Sequence, residues 1–427
     1  MNETRCQMPM DDVSPALWET AGLFEAGNYT LVALRGASEE WQTHAALGLV
    51  GKTREALEGL TRFDHPEARF YSAVARWLGG DEDGAARALE PIATEHARNL
   101  LALIRKPRIA VLAQLPWWRG GPQNLLGGAA WDAKFQVRNV SFHPKDLPNT
   151  PYADVHRYYD RRTPPDFYIC QMVEWHPLPP NLRELPCPVF GQTSDYDAQI
   201  HAIRSALPLF DEFLVTDHTE WEDVRRLTGA PVFTFPKTFG IPDALPPIPM
   251  GEREHDVFLS GRIIDTYQSD KARLVCQVLG MPSIRPVLFN GFMANQEYLG
   301  WLSRSKVSFT FGRRPSGMPS RGLETLAMGC ALVVQEGCVL TLFAGEAEGV
   351  LTYRFETGDL PDAIRRILAD WPAYAARAGR GAEIVRREFA LSRVASQYLR
   401  FLTFLAARPR ARREGRDLGR LDQRRPG

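Results

Sequence analysis

The chain has 427 residues, with 51 Lys and Arg against 51 Asp and Glu, 44% apolar residues and 24% charged ones. At roughly 100–200 residues per domain, that length accommodates about two to four domains, and the apolar fraction excludes disorder as the main state. Electroneutrality argues against a nucleic-acid partner, because binding a phosphate polymer calls for a basic excess over a whole domain.

No apolar stretch reaches the ~18 residues that a membrane span needs. The first 15 residues are polar and acidic and lack the basic-then-apolar pattern of a signal peptide, so a cytoplasmic location is expected. The six cysteines, Cys6, Cys170, Cys187, Cys276, Cys330 and Cys338, share no metal-ligand spacing and read as buried free thiols in a reducing compartment.

Residues 14–105 are rich in Ala, Leu, Glu and Arg, with apolar positions at three- and four-residue steps, and predict consecutive helices. A short pattern recurs within them: Gly51 is followed by Ala56 and Leu60, Gly80 by Ala85 and Leu89, with a fainter copy from Gly27. A glycine at the turn between antiparallel helices, then a small residue where they meet, is what a helical-hairpin repeat needs. The spacing resembles degenerate tetratricopeptide repeats, a plain helical bundle being the alternative. Residues 1–105 are therefore expected to form an all-α domain.

At Pro107 the character changes. Residues 108–115 are too short for an ordinary helix and lead into Pro116, Trp117, Trp118, Arg119, Gly120 and Gly121, which predicts a buried strand and a glycine-bearing loop. Further strands are expected at 167–173, 188–191, 212–216 and 231–235, with helices at 196–207 and 219–227. That alternation predicts a Rossmann-like parallel sheet over 106–245. Prolines 242, 246, 247 and 249 make 239–251 a stiff linker. A second series spans 246–405, with strands at 255–260, 283–289, 307–311 and 331–335. Its helices are expected at 269–279, 296–304, 321–328, 360–368 and 372–389. Residues 406–427 carry eight arginines and three acids and are expected to be a disordered tail.

The most informative stretch, 307–337, reads as strand, Gly/Pro/Ser-rich loop, short helix closed by Gly329, and strand. Backbone N–H groups at such a helix start lack intrahelical partners and suit an anion. Arg313, Arg314 and Arg321 gather there together with Ser320, and Glu324 falls in the first turn, placed to accept hydrogen bonds from sugar hydroxyls.

The run Pro319-Ser-Arg-Gly-Leu-Glu-Thr-Leu-Ala-Met-Gly-Cys-Ala-Leu-Val-Val334 resembles the donor-site motif of GT-B glycosyltransferases of family 4, closest to the spore-maturation-protein-like group with Pro-x-Arg before the glutamate. The resemblance runs from about 255 to 402 and includes Gly261-Arg262 at a strand end and Arg386-Arg-Glu-Phe-Ala-Leu-Ser392 near its close. Over 108–239 it is one of layout. It implies a GT-B architecture, in which two Rossmann-like domains face a cleft, here preceded by the helical-repeat-like all-α domain. It further implies that Glu324 binds the ribose of a nucleotide while Arg262 and, more loosely, Lys271 bind the diphosphate, with Arg314, Ser320 and Arg321 in the same loop and helix start. These cations would neutralise the leaving nucleoside diphosphate without a metal. The pattern departs from the family at Ser316, where a glutamate often stands eight residues before Glu324. The Pro-x-Arg subgroup commonly lacks that glutamate.

On the acceptor side the candidates are His176 and Asp195, which follow inner strands. Asp217 and His218 follow the next strand in the same manner. Trp117, Trp118 and Trp175 are either a stacking platform or core. No Gly-x-Ser-x-Gly, Walker loop or metal-ligand cluster occurs, which favours transfer by positioning over a covalent hydrolytic mechanism. A nicotinamide-dependent enzyme is disfavoured because no Gly-x-Gly-x-x-Gly follows Leu115 or Ser260.

The expected activity is thus a metal-independent, retaining glycosyl transfer from a nucleotide-sugar substrate, with no separate cofactor, to a glycan, protein or small-molecule acceptor. The helical domain would position that acceptor or a partner protein. The alternative is a catalytically inactive GT-B nucleotide-binding scaffold whose helical repeats bind a partner.

Overall fold

The computed structural model describes residues 19–114, 126, 132–140, 154–175, 178–194, 204–248, 252–261, 269–291, 293–312 and 316–410. Its first part is helical: α1 (Thr20–Glu25), α2 (Tyr29–Arg35), α3 (Trp41–Leu49), α4 (Thr53–Leu60), α5 (Pro66–Leu78), α6 (Glu82–Leu89) and α7 (Glu95–Ile104). The hairpins α1/α2, α3/α4 and α5/α6 each turn at a glycine of positive φ, Gly27 at +94°, Gly51 at +96° and Gly80 at +92°. After each glycine the next N–H reaches back to the carbonyl five residues earlier, Asn28 to Leu23, Lys52 to Leu47 and Asp81 to Arg76. This is the Schellman closure that a left-handed residue permits. Ala56 and Ala85 are fully buried where the paired helices meet.

Two all-parallel sheets follow. The first has β1 (Ile109–Gln114), β2 (Phe135–Val140), β3 (Phe167–Cys170), β4 (Val189–Thr193), β5 (Glu212–Val215) and β6 (Val232–Thr234) in the order β2-β1-β3-β4-β5-β6. The second has β7 (His255–Gly261), β8 (Pro286–Asn290), β9 (Ser305–Phe309), β10 (Ala331–Gln335) and β11 (Val350–Tyr353) in the order β11-β10-β9-β7-β8. Strand order reverses between β1 and β3 and between β7 and β9, so each sheet has a switch-point crevice at the carboxyl ends of those strands. Helices α8 (Trp221–Thr228), α9 (Ser269–Leu279), α10 (Asn295–Ser303), α11 (Ser320–Ala327), α12 (Leu360–Ala369), α13 (Trp371–Glu388) and α14 (Leu391–Ala406) complete the described elements.

Alternate residues of each strand serve opposite faces. On the first sheet, Leu112, Tyr168 and Phe213 pack with Trp221 and Val224 of α8. Ile109, Val111, Ala113, Phe190 and Phe233 face the other way and share one core with the N-terminal helices and with α14. On the second sheet, Val257, Val307 and Val333 meet α9, α12 and α13, and Phe258 meets Tyr298 and Leu302 of α10.

The last helix, α14, is held between the first sheet and the helical hairpins. Trp77 Nε1 donates to the Arg400 carbonyl at 2.9 Å. The Arg400 guanidinium lies 4.3 Å from the Trp77 ring centre and bonds Glu82 at 2.8 Å and Asp132 at 3.0 Å. At the end of α14, Arg408 and Arg410 pair with the buried Glu212 at 3.5 and 3.2 Å, so residues 408 and 410 of the expected tail are anchored. Residues 411–427 lie outside the described residues. The proline-rich stretch read as a linker is also pinned: Ile241 is buried, its N–H donates to the Phe389 carbonyl at 2.8 Å, and its own carbonyl accepts from Leu391 N at 2.8 Å. Cys170, Cys187, Cys330 and Cys338 are buried free thiols, while Cys276 is exposed. Among the described residues no helix is long and apolar enough to cross a membrane.

Candidate functional site

The second sheet's switch point brings together the two ends of the motif separated by 60 residues in sequence, Gly261 and Arg321. Gly261 closes β7 with φ +109°, and a Cβ there would collide with the Arg321 guanidinium. The backbone conformation therefore favours glycine, and a side chain here would make the Arg321 guanidinium shift. Arg321 Nη1 donates to the Ser260 carbonyl, fixing the guanidinium at the carboxyl end of β7. Ser320 opens α11 and is partly buried; the preceding Pro319 supplies no side-chain cap.

Glu324 lies one turn further on, 8% exposed. Burial pushes its carboxyl up to about 7, against the pull of the Arg321 charge and a hydrogen bond from Tyr298. Tyr298, on α10, is itself pushed far above the usual phenol range by burial. The Thr325 hydroxyl returns a bond to the Arg321 carbonyl at 2.8 Å, stiffening the helix start. Lys271 is buried in the first turn of α9, directly after the β7 loop.

A residue that sequence reasoning missed sets this helix in place. Arg253, buried, donates to four carbonyls, those of Leu302 and Ser305 at 3.0 and 3.1 Å and of Met328 and Gly329 at 3.1 and 2.9 Å. It thereby caps the carboxyl ends of α10 and α11 together. A single arginine ahead of a strand carries no pattern that would announce this role.

In the first sheet the carboxyl ends of β1, β3 and β4 are lined by the buried Gln114, Gln171, Gln192 and Glu174. Glu174 Oε1 accepts from Ser194 N at 2.8 Å and from Ser194 Oγ at 3.1 Å. This ties the segment two residues before position 176 to the residue just before position 195. His176 and Asp195 themselves lie outside the described residues, as do Arg262, Arg314, Trp117 and Trp118. From the last helix, the Tyr398 hydroxyl donates to Gln192.

The two sheets meet through Asp217 and Ser316. Asp217, just past β5, accepts at Oδ1 from Thr219 N at 2.8 Å, from Thr219 Oγ1 at 2.7 Å and from the hydroxyl of Ser316 in the loop between β9 and α11. The carboxyl ends of both sheets therefore face each other across this contact. The serine at the position where the resemblance anticipates a glutamate is spent on a bond to a carboxylate from the opposite sheet.

Residues 259–400 match a family model described as Glycosyl transferase-like. No curated protein sequence matches the chain. Among solved structures the chain is similar to sucrose-phosphate synthase from Thermosynechococcus elongatus, at 16% identity over 70% of this chain and 99% of that one, with a TM-score of 0.47. It is also similar to HepE from Anabaena in complex with UDP-glucose, at 12% identity over 69% and 100%, TM-score 0.47. A third is the UDP-forming α,α-trehalose-phosphate synthase from Burkholderia xenovorans, at 11% identity over 71% and 100%, TM-score 0.43. The family match thus falls on the second sheet and the helices around it, and the described residues form the expected two Rossmann-like units after a helical region.

Proposed function

We propose that the chain transfers a glycosyl group from a nucleoside diphosphate sugar to a hydroxyl acceptor that is a glycan, a protein or a small molecule. The observation that carries this reading is the convergence of Gly261, Arg321 and Glu324 at the switch point of the unit that matches the glycosyl transferase-like family.

In this reading Glu324, once ionised, accepts from the ribose hydroxyls. The N–H groups at the start of α11, with Ser320, Arg321, Arg314, Arg262 and Lys271, hold the diphosphate. The bond between the anomeric carbon and the diphosphate oxygen breaks, and its electron pair leaves on the diphosphate, where guanidinium and N–H groups stabilise the growing charge without a metal. The acceptor oxygen bonds the anomeric carbon and loses its proton to a base, for which Asp195 and His176 are the candidates. Retention of configuration, membership of the family 4 or spore-maturation-like group, and a cytoplasmic site of action belong to the same proposal. The helical hairpins, in a tetratricopeptide-like role, would present the acceptor or a partner protein.

The test is turnover of a panel of nucleotide sugars by the wild type, Glu324→Ala and Arg321→Ala. Each variant is expected to lose roughly 10- to 100-fold in kcat/KM, the scale of one hydrogen bond to a charged group. Wild-type rates in both variants would sink the site assignment. The engagement of Ser316 by Asp217 favours one second reading, a nucleotide-binding scaffold without catalysis. Nucleotide binding with no turnover across donors and acceptors would select it.

A further inference from the structure

An open cleft of about 650 Å³ lies at the amino end of β6, on the rim of the first sheet opposite its switch-point crevice. Three parts of the chain line it: Glu25 at the end of α1, Arg225 and Arg226 in the last turn of α8 with Pro231 and Phe233 after them, and Arg408 just past α14. That volume falls in the range that small ligands fill. None of these side chains takes part in the donor site.

Among the described lining residues three guanidinium groups stand against one carboxylate. The guanidinium groups are held in place yet little spent. Arg226 Nε donates to Glu222 Oε1 at 2.9 Å, while Arg225 lies 3.6 Å from the same carboxylate and 5.4 Å from the Trp221 ring centre. Arg408 lies 4.5 Å from the Phe233 ring centre and 3.5 Å from the buried Glu212, which it shares with Arg410. Among the described residues neither the Arg225 nor the Arg408 side chain donates a hydrogen bond, and Arg408 Nη1 is buried without a partner. A guanidinium carries five N–H donors in a planar fork that fits phosphate oxygens, and two carboxylates divided among four arginines leave most of that capacity open. Because rings and carboxylates already hold these side chains, a ligand meets them with part of their ordering cost removed. The carboxyl ends of α1 and α8 oppose an anion, but both helices are short and Glu25 is exposed, so the guanidinium groups set the sign. Glu25 and the helix-end carbonyls are acceptors, which suits an anion that also carries hydroxyls.

We propose that this cleft is a second ligand site, which binds a small hydroxyl-bearing phosphomonoester through Arg225, Arg226 and Arg408. The excess of two positive charges on the described lining matches the phosphate dianion, and the acceptors beside it take the hydroxyls. Its walls belong to the first helical hairpin, the first α/β unit and the end of α14, so an occupied cleft braces these three parts at a distance from the donor site. The assignment stands independently of the donor-site reading.

The experiment is calorimetric titration of the full chain with glucose 6-phosphate, inorganic phosphate, glucose and UDP, for the wild type, the double variant Arg225→Gln/Arg226→Gln, and Arg321→Ala. The two arginines of α8 are half-exposed and bond only Glu222 of their own helix, so the double variant should keep the wild-type unfolding midpoint. The wild type should bind one equivalent of glucose 6-phosphate, inorganic phosphate more weakly, and glucose not at all. The double variant should lose at least about tenfold in affinity for glucose 6-phosphate, the scale of one hydrogen bond to a charged group, and keep its affinity for UDP. Arg321→Ala should keep the affinity for glucose 6-phosphate. No saturable binding of glucose 6-phosphate overturns the proposal, as does an unchanged affinity in the double variant or a loss that UDP shares. Inorganic phosphate binding as tightly as the ester overturns the ester assignment and leaves an unselective anion trap. If UDP binds no form of the protein while glucose 6-phosphate behaves as stated, the donor-site reading falls and this site stands.

Discussion

Glu324 is poised between stability and binding. With its folded value raised from 4.5 to about 7 by burial, the unliganded folded state holds the proton more tightly than the unfolded chain does between those values. Stability from this group is therefore greatest below pH 4.5 and is lost as pH rises through about 7. Ribose hydroxyls need the ionised form as acceptor, so nucleotide affinity should rise with pH up to about 7 and binding should release a proton. Calorimetry in buffers of different ionisation enthalpy measures that release, and Glu324→Gln should abolish it, bind nucleotide at least tenfold more weakly and raise the unfolding midpoint at pH 8. An unchanged proton release in Glu324→Gln would assign the titration to another group. Gly261→Ala makes a second case: the new methyl displaces the Arg321 guanidinium and forces φ +109° on a residue with a Cβ, at about 1–3 kcal/mol. Nucleotide binding should fall with stability, and binding at wild-type affinity would show that Arg321 is not a ligand. Ser320, Arg321 and Glu324 stand out in sequence because one local strand-loop-helix pattern displays them, whereas Gly261 enters only through the family resemblance. Arg253, Tyr298 and the pairing of Asp217 with Ser316 do not stand out, since each joins elements far apart in the chain and leaves no spacing to read.

Among the elements, the inner strands, the edge strands β6 and β8 and the hairpin turns could be read, and the edge strands β2 and β11 could not. Both strands that went unread, β2 and β11, flank their sheets, and Phe135–Val140 interleaves apolar residues with Arg138 and Asn139, so β2 lacks the continuous apolar run of an inner parallel strand. The helix α14 was likewise unassigned, its amphipathic face having meaning only once the first sheet and the hairpins supply two surfaces to fill. The hairpin glycines, by contrast, stand at regular places with the same φ, but their surroundings differ. Gly27 and Gly51 press their turns onto the first α/β unit. Thr234 N of the edge strand β6 donates to the Gly27 carbonyl at 3.0 Å, and Thr30 N donates to Thr234 Oγ1 at 2.8 Å, so a helical turn covers a sheet edge that would otherwise stay unpaired. A Cβ on Gly51 would stand 2.8 Å from Lys237 Cδ, whereas a Cβ on Gly80 meets nothing within 4 Å. Gly80→Ala should accordingly cost only the backbone strain, about 1 kcal/mol, while Gly51→Ala adds overpacking and should cost about 2–4 kcal/mol. Equal shifts in denaturant midpoint for the two variants would show that the turns do not seat as described.

For the whole molecule the decisive contact is Lys237, fully buried where the helical region and both α/β units meet. Its ammonium group donates to the Gly51 carbonyl of the second hairpin at 3.3 Å, the Glu388 carbonyl at 3.2 Å and Gln397 Oε1 of α14 at 3.1 Å. It lies 5.0 Å from the ring centres of Phe343 and Phe389 and 3.7 Å from the Glu388 carboxylate. One side chain thus fixes the relative placement of three parts of the chain through acceptors that none of them could satisfy alone. Burial lowers its value to about 7, with Arg393 pushing the same way and Glu388 and Glu55 opposing. The unfolded chain keeps this proton up to 10.5, and the folded chain releases it above about 7. Between those values the unfolded state binds more protons, so stability must rise with pH, by up to about 1.4 kcal/mol per pH unit from this group alone. Lys237→Met lacks both the donors and the titration. It should unfold at lower denaturant than the wild type at pH 7, and the gap should widen at pH 8 and again at pH 9, while the affinity for nucleotide stays unchanged because Gly261, Arg321 and Glu324 are not among the cage's partners. Parallel stability curves for the two proteins over that range would mean that the amine stays charged in the fold, and Glu388 rather than the three neutral acceptors would then hold the junction together.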